Sequence, residues 1–181
     1  MLAGGQDLES YARKISSLID PAKLATLGER QANPRVEKYV ALLAEAKVGG
    51  LSPGRVTHRA LTLVGMKGAA AKVTQEAMVR NVTIAERLGC LDEAGLEGMR
   101  NGHGATVGSG PYKGQQVSVD HIIPRAVVPE LDNVIANLEL LPLRVNEKKQ
   151  SKIGQRQRSL ARKLNEAGLL SKAGLAAVLA R

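Results

Sequence analysis

Four polar residues in the second half of the chain have the types that phosphodiester hydrolysis requires. Asp120 and His121 are adjacent, and Asn137 and Asn146 follow at set distances, ahead of a row of lysines. The reaction needs a base for the attacking water, a cation for the charge that builds on the phosphoryl oxygens, and help for the leaving oxygen. Histidine suits the first task because its ordinary pKa lies near neutrality. Carboxylate and carboxamide oxygens hold the hard divalent cations that suit the other two. The set therefore predicts a phosphodiester-cleaving site.

The residues just before this set predict a short strand. Val117 and Val119 have β character, and Pro124 with the loop behind it indicates that the strand ends close to His121. Adjacent residues of a strand point to opposite sides, which is awkward for a site that uses both Asp120 and His121. At the end of a strand this alternation need not hold. We therefore expect both side chains to reach one site.

A second strand and a helix are predicted after the loop. Residues 137–141 form a short apolar run that Pro142 ends. The segment 143–152 then has helical character and could bring Asn146 alongside Asp120. The prediction is a unit of two strands and one helix around a single metal ion.

The rest of the chain is predicted to be helical. Residues 7–100 carry apolar residues at helical spacing, and a glycine-rich stretch over residues 100–115 cannot hold a helix. We therefore divide the chain into a helical N-terminal region, residues 1–100, and a module over residues 101–181 that ends in helices. The fold class is mainly α with a small α+β module. Predicted helix starts lie at Asp20, Asn33, Ser52, Asp92 and Ser171.

Composition narrows the classes of partner. The net charge is +9, from 26 Lys and Arg against 17 Asp and Glu, which favours a polyanion such as nucleic acid or an anionic membrane surface. The chain has no Phe or Trp, so a base-stacking surface is close to excluded. Cys90 is the only cysteine, which rules out an internal disulfide and any zinc site with two or more thiolates from this chain. No apolar run approaches the roughly 20 residues that span a bilayer. With no secretory signal visible, the cytoplasm is the expected compartment and no membrane partner is expected.

A basic run begins inside the candidate site. From Arg144 to Lys163 there are eight Lys or Arg residues and one acid, Glu147. Because this run adjoins the site, a phosphate-contacting face is favoured over a merely solvated one. The residues predicted to contact nucleic acid are Lys148, Lys149, Lys152, Arg156 and Arg158.

Residues 119–149 resemble the HNH endonuclease family. The family pattern runs Asp-His-Ile-x-Pro, then Asn-Leu-x-x-Leu, then Asn or His followed by basic residues. This chain has Asp-His-Ile-Ile-Pro over residues 120–124, Asn-Leu-Glu-Leu-Leu over residues 137–141 and Asn-Glu-Lys-Lys over residues 146–149. The three elements occur in order and at workable spacing. Many members of the family also carry two Cys-x-x-Cys pairs that bind a structural zinc, and this chain has none. Packing against the helices must then hold the module together.

The resemblance implies a ββα-metal fold and a role for each residue. His121 would be the general base, and Asp120 and Asn146 would be ligands of one divalent ion, Mg²⁺ or another such as Mn²⁺. Asn137 would belong to the catalytic set as a structural member, its side chain bonding across the loop to hold His121. Lys149 would lie near a phosphate. The products would carry 5′-phosphate and 3′-hydroxyl ends.

Several alternatives stay open at the level of sequence. The first expectation is a metal-dependent DNA endonuclease, but RNA is not excluded as the substrate, as in an intracellular RNA-cleaving toxin. A protein of a different class, one that binds nucleic acid without cleaving it, could keep the same scaffold. Asp120 and His121 could also be only a buried hydrogen-bonded pair. The role of His103, the role of the N-terminal helices, the cleavage specificity and a homo-oligomeric state are all left open.

Overall fold

The computed structural model describes residues 3–149 and 151–181 and is mainly helical with one small antiparallel sheet. This confirms the predicted class of a mainly α fold with a small α+β module. The sheet pairs strand β1 (Val117–His121) with strand β2 (Leu138–Pro142). The helices are α1 (Ala3–Ile19), α2 (Pro21–Leu24), α3 (Asn33–Val48), α4 (Pro53–Leu63), α5 (Gly68–Arg87), α6 (Glu93–Arg100), α7 (Leu143–Lys148), α8 (Gln155–Glu166) and α9 (Lys172–Leu179). None of the described helices is both long and apolar enough to cross a membrane.

Most of the predicted helix starts carry the expected cap. The side chains of Ser52, Asp92 and Ser171 each accept a hydrogen bond from a backbone N–H in the first turn of α4, α6 and α9, respectively. Asn33 differs from the prediction, since it is already the first residue of α3 and Ala32 precedes it as the cap. Local capping chemistry thus determines these boundaries to within about one residue.

The strand pair is packed against the N-terminal helices. One face of the sheet, with Val117 and Val119 from β1 and Leu138 and Leu140 from β2, belongs to the same buried apolar cluster as residues of α1, α3, α4 and α5. A second cluster joins α5 to the loop between the strands and to α8 and α9. Packing on both sides therefore supports the module, which contains no zinc-binding cysteines.

A buried asparagine also connects α5 to the sheet. The Asn81 amide donates to the Leu138 carbonyl (3.0 Å) and to Tyr39 Oη (2.6 Å), and its oxygen accepts from the Leu140 N–H (3.1 Å). Asn81 is completely buried, and these contacts satisfy backbone groups on an edge strand that would otherwise lack partners. Gly104 permits a similarly close approach at β1, because a Cβ there would lie 2.0 Å from the Val117 carbonyl oxygen.

One boundary near the candidate site agrees with the predictions and one differs. Strand β1 ends at His121, as predicted. The helix predicted over residues 143–152 ends at Lys148, and Lys149 has an extended backbone conformation, with φ −69° and ψ 110°. Gln150, inside the predicted helix, lies outside the described residues.

Candidate active site

The end of β1, the loop after it and α7 surround a cleft of about 440 Å³. Asp120, His121 and Asn146 all line it, together with Lys149. Arg30 and Arg125 line it as well. The structure thus brings three of the four residues that prompted the functional prediction into one cavity. The fourth, Asn137, lies behind it.

A larger neighbouring cleft of about 510 Å³ has a different character. Its lining is mainly apolar, with Leu24, Leu27, Met66 and Ile135 among its residues. None of the described residues that line it is a lysine, an arginine or a histidine. A polyanion therefore has no counter-charge there, and the smaller cleft is the candidate site.

The hydrogen bonds of His121 determine which ring nitrogen is available. Nε2 lies 2.9 Å from the carbonyl oxygen of Asp132 and 2.9 Å from Oδ1 of the same residue. A carbonyl oxygen can only accept, so Nε2 carries the proton. In the neutral ring the lone pair is then on Nδ1, which makes no hydrogen bond to any other described residue. The side chains of His121 and Asp132 are 8% and 13% exposed, so water competes little for this contact.

Asp132 is itself held by the N-terminal region. Its second carboxylate oxygen, Oδ2, accepts from the Arg30 N–H at 3.0 Å. The adjacent Asn133 accepts from the Ala32 N–H (3.0 Å) and donates to the Gly28 carbonyl (2.9 Å). The segment between α2 and α3, residues 25–32, is therefore joined by several hydrogen bonds to Asp132, which orients His121, and to the adjacent Asn133.

Asp120 is paired with a lysine from the end of α7. Lys149 Nζ donates to Asp120 Oδ2 at 2.5 Å and to the His121 carbonyl oxygen at 2.7 Å. The side chains of Asp120 and Lys149 are 15% and 22% exposed, so the pair is partly shielded from water. The Lys149 ammonium thus lies between the Asp120 carboxylate and the His121 carbonyl oxygen.

Asn146 is oriented by a residue of β1. Its Nδ2 donates to Ser118 Oγ at 2.9 Å, and its amide oxygen has no hydrogen-bond partner in the part of the chain that the structure describes. Ser118 and Asp120 are two positions apart on β1 and therefore share one face of the sheet. This places Asn146 next to Asp120, although α7 is shorter than the predicted helix.

Asn137 lies behind the cleft and braces the loop that follows His121. It is fully buried. Its Nδ2 donates to the Ile123 carbonyl at 3.0 Å, and its Oδ1 accepts from the Ile123 N–H at 2.8 Å. This pair of bonds across the loop has the form that the family resemblance implies for the residue.

The residues predicted to contact nucleic acid are spread over several environments. Lys149 lies in the cleft, while Lys148 and Lys152 are exposed outside it and Arg158 is half-buried. Arg156 is bound to a carboxylate, with Nη1 2.9 Å and Nη2 2.5 Å from the oxygens of Glu139. A phosphate contact by Arg156 stays a prediction, and its ion pair gives it a structural role. His103 is exposed in the loop before β1 and does not line the cleft.

Sequence reasoning missed Asp132, Ser118, Arg30 and Arg125. Ser118 could have been found from the two-residue period of β1, because it shares a face with Asp120. Asp132 and Arg30 had no such signal. Asp132 reaches His121 across the irregular loop between the strands, and the Arg30–Asp132 bond joins residues 102 positions apart.

The donors in the cleft fit a hard divalent cation. Mg²⁺ is usually held by one or two carboxylates and retains several waters, and Asp120 supplies the carboxylate while Asn146 supplies an amide oxygen. The Asp120 carboxylate and the His121 carbonyl oxygen both accept from the Lys149 ammonium. No group of three or more His, Cys, Asp or Glu side chains suited to a metal occurs among the described residues. A ligand set that includes an asparagine is compatible with that finding.

Compared with known proteins, the chain matches no family model, no curated protein and no solved structure. Any functional assignment therefore rests on the geometry of the cleft and on the sequence motif over residues 119–149.

Proposed function

We propose that this protein is a metal-dependent endonuclease of the HNH class that hydrolyses DNA phosphodiester bonds. The proposal rests mainly on the hydrogen bonds of the His121 ring. Its Nε2 is engaged by Asp132 and its Nδ1 has no partner among the described residues, in a cleft that also holds Asp120 and Asn146. The strands β1 and β2 followed by α7 would then be the ββα-metal unit of that class.

His121 would act as the general base through Nδ1. The two acceptors on Asp132 hold the proton on Nε2, so the neutral ring presents a lone pair at the other nitrogen. As Nδ1 takes a proton from the attacking water, the positive charge that forms on the ring is stabilised by the Asp132 carboxylate. Asn137 contributes by fixing the loop through Ile123, so the position of the ring does not depend on one contact alone.

Asp120 and Asn146 would hold the metal ion. When bound, such an ion neutralises charge on the phosphoryl oxygens and assists the departing 3′ oxygen. Lys149 must then leave the Asp120 carboxylate, and its ammonium is free to contact a phosphate group, as the resemblance implies. Ser118 keeps the Asn146 amide turned so that its oxygen remains available.

DNA is proposed as the substrate on grounds of charge and amino-acid composition. The net charge of +9 favours a polyanion, and the cleft itself carries Arg30, Arg125 and Lys149. The chain has no Phe or Trp to stack on unpaired bases, so contacts to the sugar–phosphate backbone would supply the affinity.

The test is a plasmid cleavage assay with the wild type, His121→Ala and His103→Ala. Incubation with Mg²⁺ or Mn²⁺ should nick or cut the plasmid, and a chelator should stop the reaction. His121→Ala should reduce cleavage by several orders of magnitude with folding and DNA binding unchanged. His103→Ala, which removes an exposed histidine outside the cleft, should cleave like the wild type. Near wild-type, metal-dependent cleavage by His121→Ala would overturn the assignment.

A metal titration tests Asn146. In Asn146→Ala the half-maximal rate should require a higher metal concentration, because one oxygen ligand is lost. An unchanged titration would remove Asn146 from the ligand set. Running the same assay on single-stranded and duplex RNA distinguishes the RNA-cleaving alternative.

One observation favours a second candidate, a nucleic-acid-binding protein that does not cleave. Lys149 pairs with Asp120 and donates to the His121 carbonyl, and a scaffold that kept this pair permanently would bind phosphates through the remaining cations. Its signature is binding that weakens steeply with salt and no nicking with any divalent metal.

A further inference from the structure

The segment that joins α2 to α3, residues 25–32, supplies two charged residues to the cleft. Glu29 and Arg30 both line it, although they belong to the N-terminal helical region. Arg125, which follows Pro124 just after β1, lines the same cleft. Two arginines from distant parts of the sequence therefore lie at the candidate active site.

Arg30 is held in an unfavourable backbone conformation. Its φ is +56°, and it is the only described non-glycine residue with a positive φ. Such conformations persist where surrounding contacts impose them, and they are concentrated at functional sites. Here the imposing contact is the hydrogen bond from the Arg30 N–H to Asp132 Oδ2. The carboxylate that orients His121 therefore also fixes the backbone of Arg30.

The side chains of the two arginines are available to a ligand. The guanidinium of Arg30 is exposed and makes no ion pair or hydrogen bond with another described residue. Arg125 Nη1 lies 2.7 Å from Glu29 Oε1, and the Glu29 side chain is 77% exposed. An ion pair this open is weak and exchanges readily. The Glu29 carboxylate thus occupies the place on Arg125 that an oxygen of a phosphate group could take.

We propose that Arg30 and Arg125 form a phosphate-binding pair that grips the DNA backbone beside the cleaved bond, with Glu29 as a carboxylate that the phosphate displaces. The inference rests on the proposed function for the location of the cleaved bond. Guanidinium groups suit the role because their planar donors bind phosphate oxygens in pairs. The N-terminal region would then supply part of the active site in addition to supporting it.

The test measures binding of a short fluorescent DNA duplex by anisotropy, with every variant made in the His121→Ala background and a chelator present. Arg30→Ala and Arg125→Ala should each raise Kd about 10-fold and reduce the salt dependence by about one phosphate contact. Arg125→Lys should fall between these values and the parent, because it keeps the charge and loses the paired geometry. Arg55→Ala, which removes an exposed arginine of α4 outside the cleft, is the matched control and should change Kd less than about 2-fold.

Glu29 and the backbone of Arg30 give two further readouts. Glu29→Gln should tighten binding several-fold, whereas Glu93→Gln, in the first turn of α6, should not. Arg30→Gly should weaken binding while Tm stays at or above that of the parent, because glycine tolerates positive φ.

Equal Kd values for the Arg30, Arg125 and Arg55 variants, with Tm values unchanged, would overturn the proposal. Weaker binding by Glu29→Gln would overturn it as well. None of these measurements requires cleavage. A wild-type protein that binds through this pair but never nicks DNA would therefore refute the proposed nuclease activity and leave the phosphate-binding pair standing.

Discussion

Two carboxylates lie directly opposite each other on the strand pair, and their surroundings differ sharply. Asp120 on β1 pairs in register with Glu139 on β2, so both side chains project from the same face of the sheet. Asp120 faces the cleft and receives one amine, Lys149. Glu139 is 4% exposed and receives two nitrogens from Arg156. We call the Asp120 side of this face the open end, because the cleft lies there, and the Glu139 side the closed end.

The difference shows how two like charges can share one strand register. Like charges placed directly opposite destabilise a sheet unless each has its own counter-charge, and Lys149 and Arg156 provide one for each. Arginine holds Glu139 with two parallel hydrogen bonds, a geometry that resists exchange. Lysine is a single point charge on a flexible stem. Under the proposed function Asp120 would consequently exchange its lysine for a metal ion, while Glu139 stays paired with Arg156.

The largest expected contrast comes from matched isosteric substitutions. Asp120→Asn should reduce metal-dependent cleavage at least about 10³-fold, about 4 kcal/mol of transition-state stabilisation, because a charged ligand is lost. Its thermal stability should change little. Glu139→Gln should instead retain most of the activity. Cleavage rates under saturating Mg²⁺, measured beside Tm, check both statements. Equal losses of activity in the two variants would mean that the closed end also serves the reaction.

A third carboxylate shows what burial does without a counter-charge. Glu37 of α3 is buried against the start of β1 and has no ion pair or hydrogen bond to another described residue. Burial raises its pKa from 4.5 to about 7. The folded protein therefore holds a proton on Glu37 that the unfolded chain releases above its ordinary pKa. Stability from this group is complete below pH 4.5 and is lost as pH rises through 7.

Glu37→Gln should remove that pH dependence. Relative to the variant, the wild type should lose about 3 kcal/mol of unfolding free energy between about pH 4 and about pH 8. Urea unfolding of both proteins at several pH values measures the difference. Glu97→Gln, an exposed carboxylate of α6, should leave the wild-type pH profile unchanged. Parallel profiles for the wild type and Glu37→Gln would show that Glu37 is charged in the folded state.

The sequence predicts strands and helix caps better than it predicts contacts between distant segments. Strand character at Val117 and Val119 and the caps of several helices follow from patterns a few residues long. The grouping of Asp120 with Asn146 follows from the motif over residues 119–149. The partners of Glu139 and Asp132 do not. Arg156 was predicted to bind nucleic acid because it lies in a basic run, and no pattern in that run indicates that one of its members reaches β2. Contacts between distant segments depend on how the helices pack, which local periodicity does not encode.

The closed end can be tested through stability. Glu139→Gln should lower the free energy of unfolding by about 2 kcal/mol, less than the roughly 3–5 kcal/mol typical of breaking a fully buried pair, because Arg156 is partly exposed and regains water. Arg80 adds to the cost. Its buried Nε and Nη2 lack partners among the described residues, and burial lowers its pKa while the charge of Glu139 opposes that shift. Chemical denaturation of Asp120→Asn and Glu139→Gln compares the two ends directly. A larger loss in Asp120→Asn would reverse the structural roles assigned to the two carboxylates.

The smallest expected effect concerns the exchange of Lys149 for a metal ion at the open end. If the ammonium occupies oxygen atoms that the ion needs, each binding event must first break its contacts with Asp120 and the His121 carbonyl. Lys149→Met in the His121→Ala background should then lower the Kd for Mn²⁺ about 5-fold, about 1 kcal/mol, as expected for a partly exposed ion pair. Isothermal titration calorimetry measures this Kd without any cleavage.

The control is Lys148→Met, which removes the same charge from an exposed neighbour and so tests the effect of net charge alone. The Kd of this variant for Mn²⁺ should stay near that of the parent. Weaker Mn²⁺ binding by Lys149→Met would mean that the lysine holds Asp120 in position for the metal, and the open end would then be a preorganised site rather than an exchangeable one.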